Sequence, residues 1–378
     1  CLMCKSPIGL GVLGCGEFAR FSLSAIRDLG EIELVGIGAT YPDAADCATD
    51  MFGVPDFGDA SELVTHPNVE IVYIATPPFL HHEQAMLALE AGKHVICEKP
   101  LALTPSQGRE MIQVAEGRDL LLAVNLMQRY NPLYEHVRSV IEEELLGKPL
   151  HGYFEDYATD EYLPSDHWFW DREKSGGIFI EHGVHFFDLF RGWLGPGTVC
   201  SAQRGYRPDG ETEDRVQCAV RYAGDVMVNY YHGFHHPERI EKQELRLVCE
   251  RGEVTLDGWI PVRATFRGLA NESTFRRLKA LLPHPSVKIF EDYDEQSAEC
   301  RGRGKTIRAH KLCRVRGGGE TDKDKRHAEI IRALFQDQID WIKDRNHSRT
   351  ITAENAMNSL TAACRADELA HQAPDQGR

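Results

Sequence analysis

Three short segments combine residue types and spacings that could carry chemistry. Gly14-Cys15-Gly16-Glu17-Phe18-Ala19 has the Gly-x-Gly-x-x-small spacing of a dinucleotide loop. In such a loop the first glycine permits a tight turn and the second lets backbone approach a pyrophosphate. The small third residue lets a helix pack closely on a strand. The N–H groups opening that helix would then hold the phosphates. Glu98-Lys99-Pro100 sets an ammonium at the end of the apolar run Val95-Ile96-Cys97. In Ser175-Gly176-Gly177 and the residues that follow, Glu181, His185 and Asp188 fall at i, i+4 and i+7, one face of a helix. A histidine takes or gives a proton near neutral pH, a nearby carboxylate orients its ring, and a lysine stabilises a developing alkoxide. This is equipment for moving a proton while a hydride leaves or enters a secondary alcohol, with His185 favoured as base.

The elements that must position these groups alternate at the start of the chain. Apolar runs at 8–13, 33–37, 68–75, 93–97 and 120–124 read as buried strands. Helical spacing at 19–29, 44–52, 81–91 and 104–115 separates them. That order predicts a parallel, doubly wound sheet. Such a sheet binds ligands at the carboxyl ends of its strands, where Lys99 falls. After Met127 strand-like runs succeed one another at 152–157, 216–222, 226–232, 245–249 and 253–257, with turn residues between them. The expectation is an α/β chain: a Rossmann domain over residues 1–127, then an α+β domain over 128–378 with a large, mainly antiparallel open sheet. The basic stretch 301–316 reads as a charge-guarded edge strand, with an anion-recognition segment as the second reading. Gly317-Gly318-Gly319 reads as a mobile loop, and 327–344 and 352–371 read as the last helices.

Composition narrows the function classes. The chain has 378 residues, 42% of them hydrophobic and 27% charged, and a formal charge of −15. It is long enough for two domains and far from the composition of a disordered chain. Its acidity argues against nucleic-acid partners and anionic membranes. No apolar stretch is long enough to span a bilayer, and the first residues lack a secretory signal. Eleven scattered cysteines fit reduced thiols in the cytoplasm better than a disulfide framework. Cys1-Leu2-Met3-Cys4 stands without a second pair, and His232, His235 and His236 lack ligand-like carboxylate or cysteine spacing, so no metal is expected.

The coenzyme preference turns on the end of the second strand. An acidic ribose partner would fall near Ala39 or Thr40 and is missing. No Arg or Lys stands nearby for a 2′-phosphate, and Asp43 and Asp46 make the loop negative, which favours NAD over NADP. Thr40 or Asp43 could serve the ribose hydroxyls.

Taken in order, the Gly14 fingerprint, Tyr73-Ile74-Ala75-Thr76-Pro77 followed by His81, Glu98-Lys99-Pro100, Trp168 with Asp171, and Gly176-Gly177 through Gly183-x-His185-x-x-Asp188 resemble the glucose–fructose oxidoreductase / inositol dehydrogenase (Gfo/Idh/MocA) family. The resemblance covers nearly the whole chain. It implies nicotinamide-dependent oxidation of a sugar or cyclitol hydroxyl and association of copies through the C-terminal sheet. It makes Lys99 and His185 the catalytic lysine and histidine. Glu181 stands where the family usually has Asp, and Ser175 replaces the first glycine of a triplet. The coenzyme contacts it implies are Gly14, Gly16, Glu17, Phe18, Ala19, Thr40, Thr76, Pro77, His81, Glu98 and Lys99. For the substrate the candidates are Lys99, Asn125, Arg129, Tyr157, Trp168, Glu181 and His185, with Tyr130, His167 and Trp170 near them in the chain. Two other readings keep the same site. One is redox-neutral elimination or glycosidic cleavage through transient oxidation; the other is a sensor or scaffold that has lost turnover.

Overall fold

The computed structural model describes residues 7–38, 42–294, 298–319 and 322–372. They form two compact units. One gathers Cys1–Tyr130, Pro164–Asp188 and Ala328–Asp367, and the other Asn131–Leu163, Leu189–His327 and Glu368–Arg378.

In the first unit β1 (Ile8–Leu13), β2 (Ile32–Gly38), β3 (Ile71–Ile74), β4 (His94–Cys97) and β5 (Leu122–Val124) form a sheet in the order β2-β1-β3-β4-β5. Every pair in it is parallel. β1, β3 and β5 are buried throughout, as continuous apolar strands covered on both faces should be. The crossovers carry α1 (Glu17–Ile26), α2 (Pro42–Phe52), α3 (Ala60–Thr65), α4 (His81–Glu90) and α5 (Pro105–Gly117). α5 starts at a capping box in which Thr104 and Gln107 satisfy each other's backbone N–H. This is the Rossmann arrangement expected from the alternating pattern.

α6 (Pro132–Glu142), α7 (Arg172–Ser175) and α8 (Val184–Leu194) follow along the chain. The second unit holds a nine-stranded sheet. Its members include β6 (Pro149–Ala158), β7 (Gly197–Tyr206), β8 (Glu213–Tyr222), β9 (Val226–Phe234), β10 (Lys242–Cys249), β11 (Gly252–Asp257), β12 (Arg263–Ala270) and, after α9 (Glu272–Leu281), β13 (Ser286–Asp292). A separate hairpin of β14 (Glu299–Gly302) and β15 (Lys305–Arg308) precedes β16 (Lys311–Gly318). The sheet order is β13-β16-β12-β11-β10-β6-β9-β8-β7. Its pairs are antiparallel except β6 with β9, which run parallel. The large, mainly antiparallel sheet is therefore present, with one parallel pair that hairpin reasoning does not foresee.

Two local expectations are corrected. Residues 301–316 are not one edge strand: they cover most of the β14–β15 hairpin and β16, and β16 lies inside the sheet between β13 and β12. Gly317 and Gly318 are not a loop. They end β16, buried, where a Cβ on Gly317 would meet the Pro283 carbonyl at 2.7 Å and one on Gly318 the Val262 carbonyl at 2.1 Å. Glycine is used there for close backbone approach.

α10 (Lys323–Lys343) and α11 (Ala353–Gln372) complete the chain. α10 brings Phe335 edge-on to Tyr73 of β3 at 5.2 Å, and Lys343 pairs with Glu31 at 2.5 Å, so the first unit recruits a distant segment of sequence. Among the described residues no helix is long and apolar enough to cross a membrane.

Candidate active site

The glycine loop joins β1 to α1. Gly14 has φ +89°, and a Cβ there would meet the Ala75 carbonyl oxygen at 2.6 Å, so the turn requires glycine. Gly16 is the N-cap of α1 and offers no side-chain cap, and a Cβ on it would find nothing within 4 Å. The start of α1 thus presents uncapped N–H groups to open space, the cradle a pyrophosphate needs. Ala19 is buried, while Glu17 and Phe18 are exposed. Thr40 lies outside the described residues. Asp46 is exposed on α2, and Asp43 belongs to the same helix.

Backbone bonds extend the ladder past the strand ends. Ala75 N–H donates to Leu13 O, Glu98 N–H to Ile74 O and Asn125 N–H to Cys97 O, each at 2.8 Å. They carry Thr76, Glu98, Lys99 and Asn125 together to the carboxyl edge of the sheet. The Thr76 hydroxyl donates to Gln84 Oε1 at 2.7 Å. His81 is fully buried, its ring nitrogens 2.7 Å from Pro100 O and 2.8 Å from Thr76 O. Burial lowers its pKa against the pull of those two carbonyls. The ring therefore clamps the Thr76 and Pro100 turns to each other rather than presenting itself to solvent. Pro77 is the N-cap of the short helical turn Pro78–Leu80 that leads into α4.

Glu98 is buried and accepts from the Tyr73 hydroxyl at 2.6 Å and from Asn125 Nδ2 at 2.8 Å. Desolvation pushes its carboxyl up to about 7 despite both donors. The next side chain, Lys99, points elsewhere. Its ammonium donates to the Glu181 backbone carbonyl at 2.8 Å and to the Glu181 carboxylate.

Glu181 reaches this position through an irregular turn. Gly176 and Gly177, at φ +82° and +88°, reverse the chain after α7, and the Ser175 hydroxyl donates to Asp171 O at 3.0 Å while accepting from Gly177 N–H at 3.1 Å. Ser175 thus supplies a bond that a glycine there could not. Phe179–Gly183 then forms a π-helical turn running into α8. The regular helix expected over this stretch is interrupted at its proposed functional residue, as π turns frequently are. His185 lies buried in the first turn of α8.

Arg129 and Asp188 are engaged with each other. Arg129 Nε donates to Asp188 Oδ2 and NH2 to Oδ1, each at 2.7 Å, and NH2 also reaches Asp188 O at 3.0 Å. Tyr130 donates to Asp337 at 2.6 Å. Trp168 is half-buried between His167 and Phe169, with ring centroids 5.1 and 6.2 Å away. Tyr157 belongs to the second unit, where its ring lies 5.2 Å from both Tyr231 and His236. The structure therefore brings Lys99 and Glu181 together, sets Glu98 and Asn125 beside them in sequence and sheet, and ties Arg129 to Asp188. Tyr73, as partner of Glu98, is a site residue that the sequence reading used only as part of a strand motif.

Residues 8–126 match the oxidoreductase family with an NAD-binding Rossmann fold, and residues 134–255 match the GFO/IDH/MocA C-terminal domain. The 1,5-anhydro-D-fructose reductase of Ensifer adhaerens is 31% identical over 233 residues, 59% of this chain and 68% of the relative. The chain belongs to the Gfo/Idh/MocA oxidoreductase family. A dTDP-3,4-didehydro-2,6-dideoxy-alpha-D-glucose 3-reductase of Saccharopolyspora spinosa is 28% identical over 67% of this chain and 75% of its own. The structure of a levoglucosan dehydrogenase in complex with NADH and levoglucosan superposes with TM-score 0.76, 17% identity, and coverage of 97% of this chain and 98% of that one. That likeness is one of fold. This family member is an NAD(P)-dependent oxidoreductase, and its glycine loop has the open, uncapped helix start that such a coenzyme requires.

Proposed function

We propose that the enzyme transfers a hydride between nicotinamide and a secondary hydroxyl of a sugar, sugar derivative or cyclitol, with His185 and Lys99 as its acid–base groups. The observation that carries the proposal is the Lys99 ammonium held by the Glu181 carboxylate and carbonyl at the edge of the Rossmann sheet. The relatives' sugar and nucleotide-sugar substrates support the substrate class.

In this reading Gly14, Gly16, Glu17, Phe18 and Ala19 hold the pyrophosphate end of the coenzyme. Thr76, Pro77, Glu98 and Lys99 line the nicotinamide end, and His81 supports them from beneath. A bound nicotinamide would supply the acceptor for the carbinol hydride in oxidation and its donor in reduction. His185 accepts the hydroxyl proton during oxidation and gives it back during reduction. Lys99 donates a hydrogen bond to the same oxygen as its charge develops, with Glu181 fixing the ammonium. Asn125, Tyr157 and Trp168 are offered as contacts to the substrate ring, and Arg129 as their support through Asp188. Residues 1–127 serve the coenzyme, and 128–378 serve the substrate and association of copies through the C-terminal sheet. Asp43 and Asp46 favour NAD, and the free thiols favour the cytoplasm.

The test is a panel of sugars and cyclitols, and their ketones, with NAD(H) and NADP(H), followed at the nicotinamide absorbance. Turnover that survives both Lys99→Ala and His185→Ala overturns the proposal. Conversion of a glycoside without net formation of NADH would move the same site to redox-neutral chemistry.

A further inference from the structure

Glu98 is a buried acid that neither the hydride transfer nor the proton transfer proposed above uses. It follows β4, and its N–H bond to Ile74 O at 2.8 Å sets it at the carboxyl edge of the parallel sheet, next to Lys99. Its Oε1 accepts from the Tyr73 hydroxyl of β3 at 2.6 Å and from Asn125 Nδ2, just past β5, at 2.8 Å. Both donors are neutral and buried. The ammonium of Lys99 is held by Glu181, and among the described residues no cation forms an ion pair with Glu98. The other titratable groups facing it are the Tyr73 phenol and the Cys97 thiol of β4. Burial holds both well above their ordinary values, so they stay neutral. Behind Tyr73, α1 brings the Ser22 hydroxyl and α10 the Phe335 ring, neither of them charged.

Desolvation favours the protonated acid and the two donors favour the carboxylate, and the balance falls at about 7. A group poised there gains or loses its proton when a single charge arrives nearby. An oxidised nicotinamide ring carries a positive charge, and a reduced ring carries none. An ionised Glu98 would be the counter-charge to the first and an uncompensated buried charge beside the second.

We propose that Glu98 is a proton site linked to the redox state of the coenzyme, ionised beside an oxidised nicotinamide and protonated beside a reduced one. The inference rests on the nicotinamide placement proposed above. In oxidation the carbinol carbon gives its hydride to the coenzyme and the hydroxyl gives its proton to His185. The hydride cancels the ring's positive charge, and Glu98 takes up one proton from solvent. Alcohol, NAD+ and one solvent proton thus become ketone, NADH, protonated His185 and protonated Glu98, and both atoms and charge balance.

The test is binding and not turnover. Isothermal titration would give dissociation constants of oxidised and reduced coenzyme from pH 5.5 to 9, with the NAD and NADP pairs in turn. Repeating it at pH 7 in two buffers of different ionisation enthalpy counts the protons exchanged. The ratio of the two constants cancels whatever the two forms share. Oxidised coenzyme should bind with release of a proton, and should gain about tenfold over reduced coenzyme across this range, the equivalent of about one pKa unit. A histidine titrates in the same range, so His185→Ala is the control and should keep the gain, whereas Glu98→Gln should abolish it. Should Glu98→Gln fail to fold, Tyr73→Phe removes one donor to the carboxylate and should move the midpoint of the gain up by about one pH unit. The inference alone is overturned by a pH-independent ratio in the wild type, by a gain that survives Glu98→Gln or is lost in His185→Ala, or by an unmoved midpoint in Tyr73→Phe. Binding of neither coenzyme overturns the proposed function as well.

Discussion

Two ion pairs hang from one stretch of chain, and they are built for opposite purposes. Glu181 meets Lys99 from the π-helical turn, and Asp188 meets Arg129 from α8. Lysine is a compact charge on a flexible stem, and its side chain here is 18% exposed with its partner at 9%. Arginine is a rigid fork, and it grips both oxygens of a carboxylate that is only 1% exposed. In the function proposed above, the first pair opens toward a substrate oxygen by rotation about the lysine stem. The second cannot open without stranding a buried charge. Residue type and backbone geometry separate the two roles within seven residues of each other.

The largest effect should come from the pair that can open. Lys99→Ala should lower turnover by about 10²–10⁴, the usual worth of one general acid–base group, with a much smaller loss of coenzyme affinity because the glycine loop is intact. Stopped-flow hydride transfer and coenzyme fluorescence would measure the two separately. Arg129→Met should act on stability instead. Breaking a buried pair from one side costs about 3–5 kcal/mol, whereas Arg129→Met combined with Asp188→Leu should regain most of that loss. Urea unfolding of the single and double variants checks it. A rise in KM with no loss of stability would instead make Arg129 a substrate contact and dissolve the contrast.

A third prediction concerns Glu98, the carboxyl that the sheet buries beside the openable pair. Its folded pKa, raised to about 7 by desolvation, lies above the ordinary value of 4.5. The folded state therefore holds this proton more tightly than the unfolded chain does. The stabilisation is complete below pH 4.5 and is lost as pH rises toward 7. The decline amounts to about 3 kcal/mol at about 1.4 kcal/mol per pH unit. Glu98→Gln should flatten that part of the stability–pH curve relative to wild type. Unfolding midpoints of both proteins from pH 4.5 to 8 would show whether the two curves differ in slope there.

How much of this contrast could be read beforehand depended on range along the chain. The parallel sheet was legible because its strands are continuous apolar runs, and the glycine loop because its spacing has one mechanical use. Sequence spacing puts Glu181, His185 and Asp188 on one face only on the assumption of an unbroken α-helix, whereas Glu181 meets Lys99 and Asp188 meets Arg129. The π turn was hidden, since hydrophobic periodicity is too coarse to register one extra residue. The Arg129–Asp188 bond joins positions 59 apart, and nothing local distinguishes an arginine that binds substrate from one that holds an aspartate. The parallel pairing of β6 with β9 was equally silent, because side-chain alternation is the same in either direction. One missed signal was available. Arg303 and Gly304, both at positive φ, form the tight β14–β15 turn, and the Gly302-Arg303-Gly304 sequence invited a hairpin inside the basic segment.

The smallest effect, and the sharpest test of the comparison, is expected from changing arm length without changing charge. Glu181→Asp shortens the arm by one methylene. The Lys99 bond to the Glu181 backbone carbonyl at 2.8 Å does not depend on that side chain, and the lysine stem can follow the retreating carboxylate. The ammonium should stay in place at the cost of about a tenfold lower turnover, with stability unchanged. Asp188→Glu makes the opposite change at the other pair. There the carboxylate has no room to advance, because both oxygens and the backbone carbonyl are already gripped by one planar guanidinium. That variant should lose stability through overpacking, by about 1–3 kcal/mol, while any protein that remains folded keeps its turnover. If the two variants behaved alike, in stability or in rate, the distinction between an openable and a locked pair would fail.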